Sequence, residues 1–463
     1  MLDPGFADDH PDGDAALTAS PSAKKEAREI MSSAASGSTS ATTAAAGSVA
    51  DLRLFVFGLF FIFGGITSLN DVLIPKLKHL FDLTYAEVML IQSAFFLAYF
   101  LISAPAGALV HRLGYMRSAA IGLITMTVGC LLFIPASYSG LFPTFLLALF
   151  VLAAGITVVQ VVANPLICLL GEPRTAHSRL TFAQAFNSLG TTIFPYVGSI
   201  LILGTLAQVD EAQLSGQALE VFRAKEAHVV DRTYVGLAAA LATVAALVWR
   251  RRHRLNEGRQ EGASLLRSLN LLRRPRFAIG ALSIFLYVGG EVAIGSLLAN
   301  YLMQPDTLAL APQAAGERLA FYWGGAMVGR FIGAGLLRRF PPASVLAAAA
   351  VCAITLLWVS ALSTGVVSGM SLISIGLFNS IMFPTIFSLA SEGLGDRAPE
   401  GSGLICMAIV GGAIVPLVTG AVADASTLRG ALAVPMLCYL GIAVFGRYCR
   451  LHPERASPVP SIG

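Results

Sequence analysis

Apolar runs long enough to cross a bilayer alternate along this chain with short charged or turn-forming stretches. They lie at roughly 52–75, 86–110, 118–136, 142–170, 180–205, 232–249, 277–303, 319–337, 343–363, 366–390, 401–423 and 430–448. A hydrocarbon core about 30 Å thick takes about 20 apolar residues per crossing helix. Each run therefore predicts one transmembrane helix, twelve in all, and the longest predict helices that tilt or break. Residues 1–50 lack such bulk. The stretch from Ser32 to Ser48 is almost all Ser, Ala, Thr and Gly, which predicts a disordered tail.

The runs also repeat. Gly107-Ala-Leu-Val-His-Arg112 follows the second run and Gly333-Ala-Gly-Leu-Leu-Arg338 follows the eighth, an offset of 226 residues. Gln160 precedes Pro165 by five positions, and Asn379 precedes Pro384 by five, an offset of 219. Phe194-Pro195 in run five meets Val415-Pro416 in run eleven at 221. Matches in the same order at a near-constant spacing predict two pseudo-symmetric six-helix bundles around a central site. The division expected is a tail (1–50), an N-terminal bundle (51–250), a basic linker (251–275), a C-terminal bundle (276–449) and a second tail (450–463).

Composition agrees with this pattern: the 463 residues are 56% hydrophobic and only 13% charged, against about 25% charged in soluble domains. A net charge of +4, carried mostly in short loops, gives no reason to expect a nucleic-acid partner. Lys and Arg bias sets the orientation. Arg250, Arg251, Arg252, Arg254, Arg259, Arg267, Arg273, Arg274 and Arg276 crowd the loop after run six, and Arg112, Arg117, Arg174, Arg338, Arg339, Arg447 and Arg450 share its side. Both termini and that loop are expected in the cytoplasm, and the protein in the inner membrane of its cell. Six cysteines stand singly in or at the ends of apolar stretches, without disulfide or metal spacing.

A polar side chain in hydrocarbon is costly, so those inside the runs point to a cavity or a partner helix. They are Asn70, Asp71, Gln92, Gln160, Asn164, Gln184, Asn187, Glu291, Asn300, Arg330 and Asn379. Amides both donate and accept hydrogen bonds, which suits the hydroxyls of a sugar or polyol. Asn70, Gln160, Asn164, Asn187, Glu291 and Asn379 are the expected substrate contacts. Asp71 can exchange a proton when the cavity opens to water, which would couple transport to a proton gradient. Glu291 and Arg330 fall near the middle of consecutive helices, where they either neutralise each other or leave Glu291 as a second proton or ligand group. Gly107, Arg112, Gly114 and Arg338 sit in tight basic turns suited to a gate. No nucleophile with a base, metal-ligand cluster or phosphate loop occurs, so no enzyme, cofactor or metal is expected.

The turn GALVHRLGYMR resembles the major facilitator signature, with His111 where an acidic residue is usual. Ser68 to Gly107, Val158 to Gly171 and Arg179 to Gly190 resemble the fucose permease branch of that superfamily. So do IFLYVGGEVAIGSLLANYL, YWGGAMVGRFIGAGLL, GLFNSIMFPTIFSLASEGLG and GSGLICMAIVGGAIVP, especially as found in glucose/galactose and N-acetylglucosamine members. The resemblance spans about residues 52–448. It implies that Asp71 is the protonatable aspartate of helix one and Asn187 the sugar-contacting asparagine of helix five. Gln160 stands where fucose permease has a glutamate, which leaves coupling to Asp71 and Glu291. The expectation is a monomeric hexose carrier in the lipid bilayer, moving sugar with a proton. The alternatives are sodium coupling, or efflux of drugs or other small molecules by the same architecture.

Overall fold

Proline opens several of the helices and glycine closes others, as the backbone chemistry of the two residues requires. Proline in the first helical turn sacrifices only an N–H that has no intrahelical partner, and α4, α7, α8, α9 and α12 begin that way. The computed structural model describes residues 51–69, 85–139, 141–198, 217–250, 252 and 268–454. The expected tail at 1–50, Asn70 and Asp71, nearly all of the basic linker up to residue 267, and residues 455–463 lie outside the described residues.

The elements are α1 (Asp51–Leu69), α2 (Tyr85–Leu113), α3 (Tyr115–Ser139), α4 (Phe142–Leu169), α5 (Ala176–Gly198) and α6 (Gln217–Arg250) in the N-terminal half. The C-terminal half holds α7 (Pro275–Met303), α8 (Pro312–Arg339), α9 (Pro342–Leu362), α10 (Gly365–Asn379), α11 (Met382–Ser391), α12 (Ala398–Met407), α13 (Gly411–Ala425), α14 (Leu428–Ala431) and α15 (Ala433–Leu451). They make twelve helical passes, because α10 with α11, α12 with α13, and α14 with α15 each form one. Among the described residues no strand occurs. From Arg53 onward the chain clusters as one compact unit.

Breaks in runs ten and eleven have physical causes. Pro384 cannot donate to the Ser380 carbonyl and its ring crowds that turn, so α10 ends at Asn379 and α11 starts at Met382. In run eleven the chain tightens to a 3-10 turn at Ala408–Val410 before Gly411 and Gly412. Pro165 is handled differently: α4 continues through it. The carbonyl it leaves without an intrahelical donor, Val161 O, accepts from Ser402 Oγ of the other half at 2.8 Å.

Among the described residues, ten of the passes are apolar and long enough to cross a membrane, and the described parts of α5 and α8 are the more polar two. These two pack against each other, so their polar faces are turned toward one another and the interior rather than toward lipid. Together with the contact of α2 on α12, this pair joins the halves. Large apolar side chains such as Phe100, Leu147, Trp358, Leu417 and Val444 are exposed on the outside, the surface a bilayer would cover.

Candidate functional site

Helical spacing gathers the polar residues of each half onto one wall. On α5, Gln184, Asn187 and Thr191 follow at three and four residues, and on α2, Gln92, Phe95, Phe96 and Tyr99 do the same, so each set shares a face. Across from them α7 presents Tyr287, Glu291 and Gly295, and α8 presents Trp323 and Arg330. These walls enclose a cavity of about 350 Å³ between the halves, with Thr67 of α1, Gln160 of α4 and Phe383 of α11 completing it. That volume is at the small end of ligand pockets, roughly 300–1,000 Å³.

Several wall residues are held by a neighbour. Tyr99 Oη donates to Gln160 Oε1 at 2.8 Å, and Asn187 Nδ2 donates to the Phe60 carbonyl at 3.3 Å. Gly64 permits that approach, since a β-carbon there would fall 2.6 Å from Asn187 O. Tyr287 Oη donates to Glu291 Oε1 at 2.7 Å and lies 3.0 Å from Asn379 O, a carbonyl at the α10 break. Glu291 and Arg330 do not form an ion pair. Arg330 instead crosses between the halves, donating to Gln184 O at 3.2 Å and to Ser188 Oγ, and to Ser380 O at 3.4 Å. Ser380 O is the carbonyl that Pro384 deprives of its donor, the counterpart of Val161 O in the other half.

Of the expected substrate contacts, the structure brings Gln160, Asn187 and Glu291 to the cavity. Asn164 and Asn379 are fully buried outside its lining. Asn164 lies beside the Cys406 thiol, and neither of its polar side-chain atoms makes a conventional hydrogen bond. Asn379 donates through Nδ2 to Tyr322 Oη at 2.8 Å. Asn70 and Asp71 lie outside the described residues. Sequence reading did not single out Thr67, Tyr99, Tyr287, Trp323 or Phe383. A tyrosine or tryptophan in an apolar run carries no signal until its neighbours are known.

The polar contacts between the halves gather from the cavity floor to the end where the arginines cluster. A β-carbon on Gly107 would fall 2.7 Å from Pro399 O and 3.3 Å from Gly403 Cα, so α2 and α12 touch backbone to backbone there. His111 Nε2 lies 3.9 Å from Glu400 Oε1, and Arg397 holds Glu400 at 2.8 Å. On the α5 side, Ser178 Oγ donates to Ala334 O at 2.7 Å and accepts from Arg338 Nε at 3.3 Å. Buried His177 bridges Ser388 Oγ at 2.6 Å and Glu392 Oε1 at 3.0 Å, while Arg276 also pairs with Glu392. Gly114, with φ 85°, makes the left-handed turn that ends α2. Arg112 is exposed at the end of that helix.

The sequence pattern of the Major Facilitator Superfamily matches residues 55–415. The chain is 46% identical over 396 residues to a glucose/galactose transporter of Brucella abortus, covering 84% of this chain and 91% of that one. It is 35% identical over 403 residues to the L-fucose-proton symporter of Escherichia coli, covering 84% and 91%. The crystal structure of FucP in the outward conformation superposes with a TM-score of 0.78 at 33% identity, covering 87% of this chain and 99% of that one. With a match over most of its length, twelve helical passes in two related halves and a cavity at their junction, the chain belongs to the Major Facilitator Superfamily and is a multi-pass membrane transporter.

Proposed function

We propose that this protein takes up a hexose together with a proton across the inner membrane of its cell, by alternating access. One observation carries the reading: four amide side chains, Gln92, Gln160, Gln184 and Asn187, line a cavity of about 350 Å³ together with the Glu291 carboxylate. Amides and a carboxylate can satisfy a rim of hydroxyls, and the volume suits a monosaccharide better than a bulky amphipathic drug. The names of the Brucella and Escherichia coli relatives support the same substrate class and proton coupling.

The basic end faces the cytoplasm, as the arginine bias argues, and its contacts hold that side shut while the cavity faces outward. A proton neutralises Asp71, with Glu291 as a second carboxyl; the sugar engages Gln160, Asn187 and Glu291; the halves rock, and both ligands leave inward. Both walls of the cavity come from one chain, so a monomer suffices. Gly107, Arg112, Gly114 and Arg338 belong to the inner gate, and Asn70, Asn164 and Asn379 become sugar contacts as the halves move.

Uptake of labelled glucose, galactose and fucose into proteoliposomes, with an imposed proton or sodium gradient, tests this. Accumulation driven by the proton gradient is expected. Asp71→Asn should abolish uphill accumulation while counterflow exchange persists. Undiminished gradient-driven uptake by that variant overturns the coupling role, and accumulation driven by sodium alone reassigns the ion.

A further inference from the structure

The amides account for the rim of a bound sugar but leave its faces unaddressed. A pyranose ring is amphipathic: its hydroxyls project around the edge, while its axial C–H bonds make one or both faces apolar. A site that fixes the rim alone tolerates tilt of the ring. A flat aromatic surface under one face removes that freedom, because the negative face of a π-system attracts polarised C–H groups and shields them from water.

We propose, on the reading that this is a hexose carrier, that Trp323 is the stacking platform for the apolar face of the sugar ring and that Gly295 sets its position. Trp323 lines the cavity from α8 and is 48% exposed. A half-exposed tryptophan on a membrane helix ordinarily belongs to the interfacial aromatic belt, but this one shares its cavity with Glu291, Gln184 and Asn187. Its six-membered ring lies along α7: a β-carbon on Gly295 would stand 3.2 Å from Trp323 Cζ2 and 3.8 Å from Cη2. Contact that close is tolerated because residue 295 has no side chain. Behind the indole, Tyr322 meets it edge-on, with ring centroids 5.1 Å apart at 81°, and the Tyr322 hydroxyl is tied to Asn379. The platform is therefore supported from the back, braced along one edge, and open toward the cavity, with Glu291 on the neighbouring helix to take hydroxyls at its rim.

The chain has three tryptophans, and the other two stand away from the cavity, at the end of α6 and on the outer surface of α9. Replacing Trp249 and Trp358 with Phe leaves Trp323 as the sole indole. In that protein, reconstituted in liposomes, D-glucose or D-galactose should change the tryptophan emission saturably, with a midpoint matching the concentration dependence of uptake. Trp323→Ala should raise KM by about tenfold, the order expected for loss of one good aromatic contact, and Trp323→Phe by less. Gly295→Ala, which crowds the indole, should also raise KM. Uptake of labelled hexose with an unaltered KM in Trp323→Ala, or uptake unaccompanied by any emission change, overturns the platform and leaves the carrier reading intact. Absence of hexose uptake by the unaltered protein overturns both.

Discussion

Gln160 and Asn379 hold matching places in the internal repeat, and each bonds a tyrosine of the helix two passes earlier: Gln160 accepts from Tyr99, and Asn379 donates to Tyr322. Yet only Gln160 reaches the cavity wall. The match of Gln160 with Asn379 was legible in the spacing to proline, but their tyrosine partners were not, and the difference in exposure depends on how α8 and α10 pack, which no spacing encodes. Glu291 illustrates the same limit. Its position suggested Arg330 as a partner, but Arg330 finds carbonyls and a hydroxyl across the junction, and Glu291 takes the Tyr287 hydroxyl. Glu291→Gln keeps an acceptor for Tyr287 while removing the charge. Gradient-driven accumulation should fall about tenfold or more, as expected for a hydrogen bond to a charged group, while thermal stability changes little. A melting curve and an uptake assay on one preparation check both halves of that statement.

The twelve passes were readable from hydrophobic run length alone, and the length of the longest runs pointed to tilted or broken helices, while the place of the break at Pro384 was not singled out. The partnerships were not readable. That α5 packs on α8 and α2 on α12 follows from tertiary complementarity. The two prolines of the repeat expose a carbonyl each, and the fold provides each with a donor from another helix: Ser402 for Val161, Arg330 for Ser380. Ser402→Ala leaves Val161 O unsatisfied only while the halves are closed at the basic end. The cost, about 1 kcal/mol or more, corresponds to a factor of about five in population. Cys406, one turn further along α12 and buried, should then react several-fold faster with thiol reagents in a variant carrying no other cysteine. An unchanged labelling rate would show that the bond does not hold the closed state.

At the scale of the whole molecule, closure of the basic end rests on contacts that the run pattern placed only in part. Gly107 and Arg338 stood out from the turn motifs, but His177, just ahead of the fifth run, did not; it lies buried in the first turn of α5, facing Ser388 and Glu392 of the opposite half. His177→Ala removes both contacts and leaves Glu392 to Arg276. Distances between spin labels placed across the basic end should lengthen in a larger share of molecules, since a two-state equilibrium moves by whatever free energy separates the states. An unaltered distance distribution would assign His177 to folding alone.

Because the hydroxyl of Ser402 and the carbonyl of Val161 belong to opposite halves, the alternating access proposed above has this link part and re-form once in every turnover. Fastening that seam more tightly, for example with a second donor beside it, would trade speed for grip. Molecules would wait longer facing the medium, capture scarce ligand at lower concentration, and deliver it more slowly.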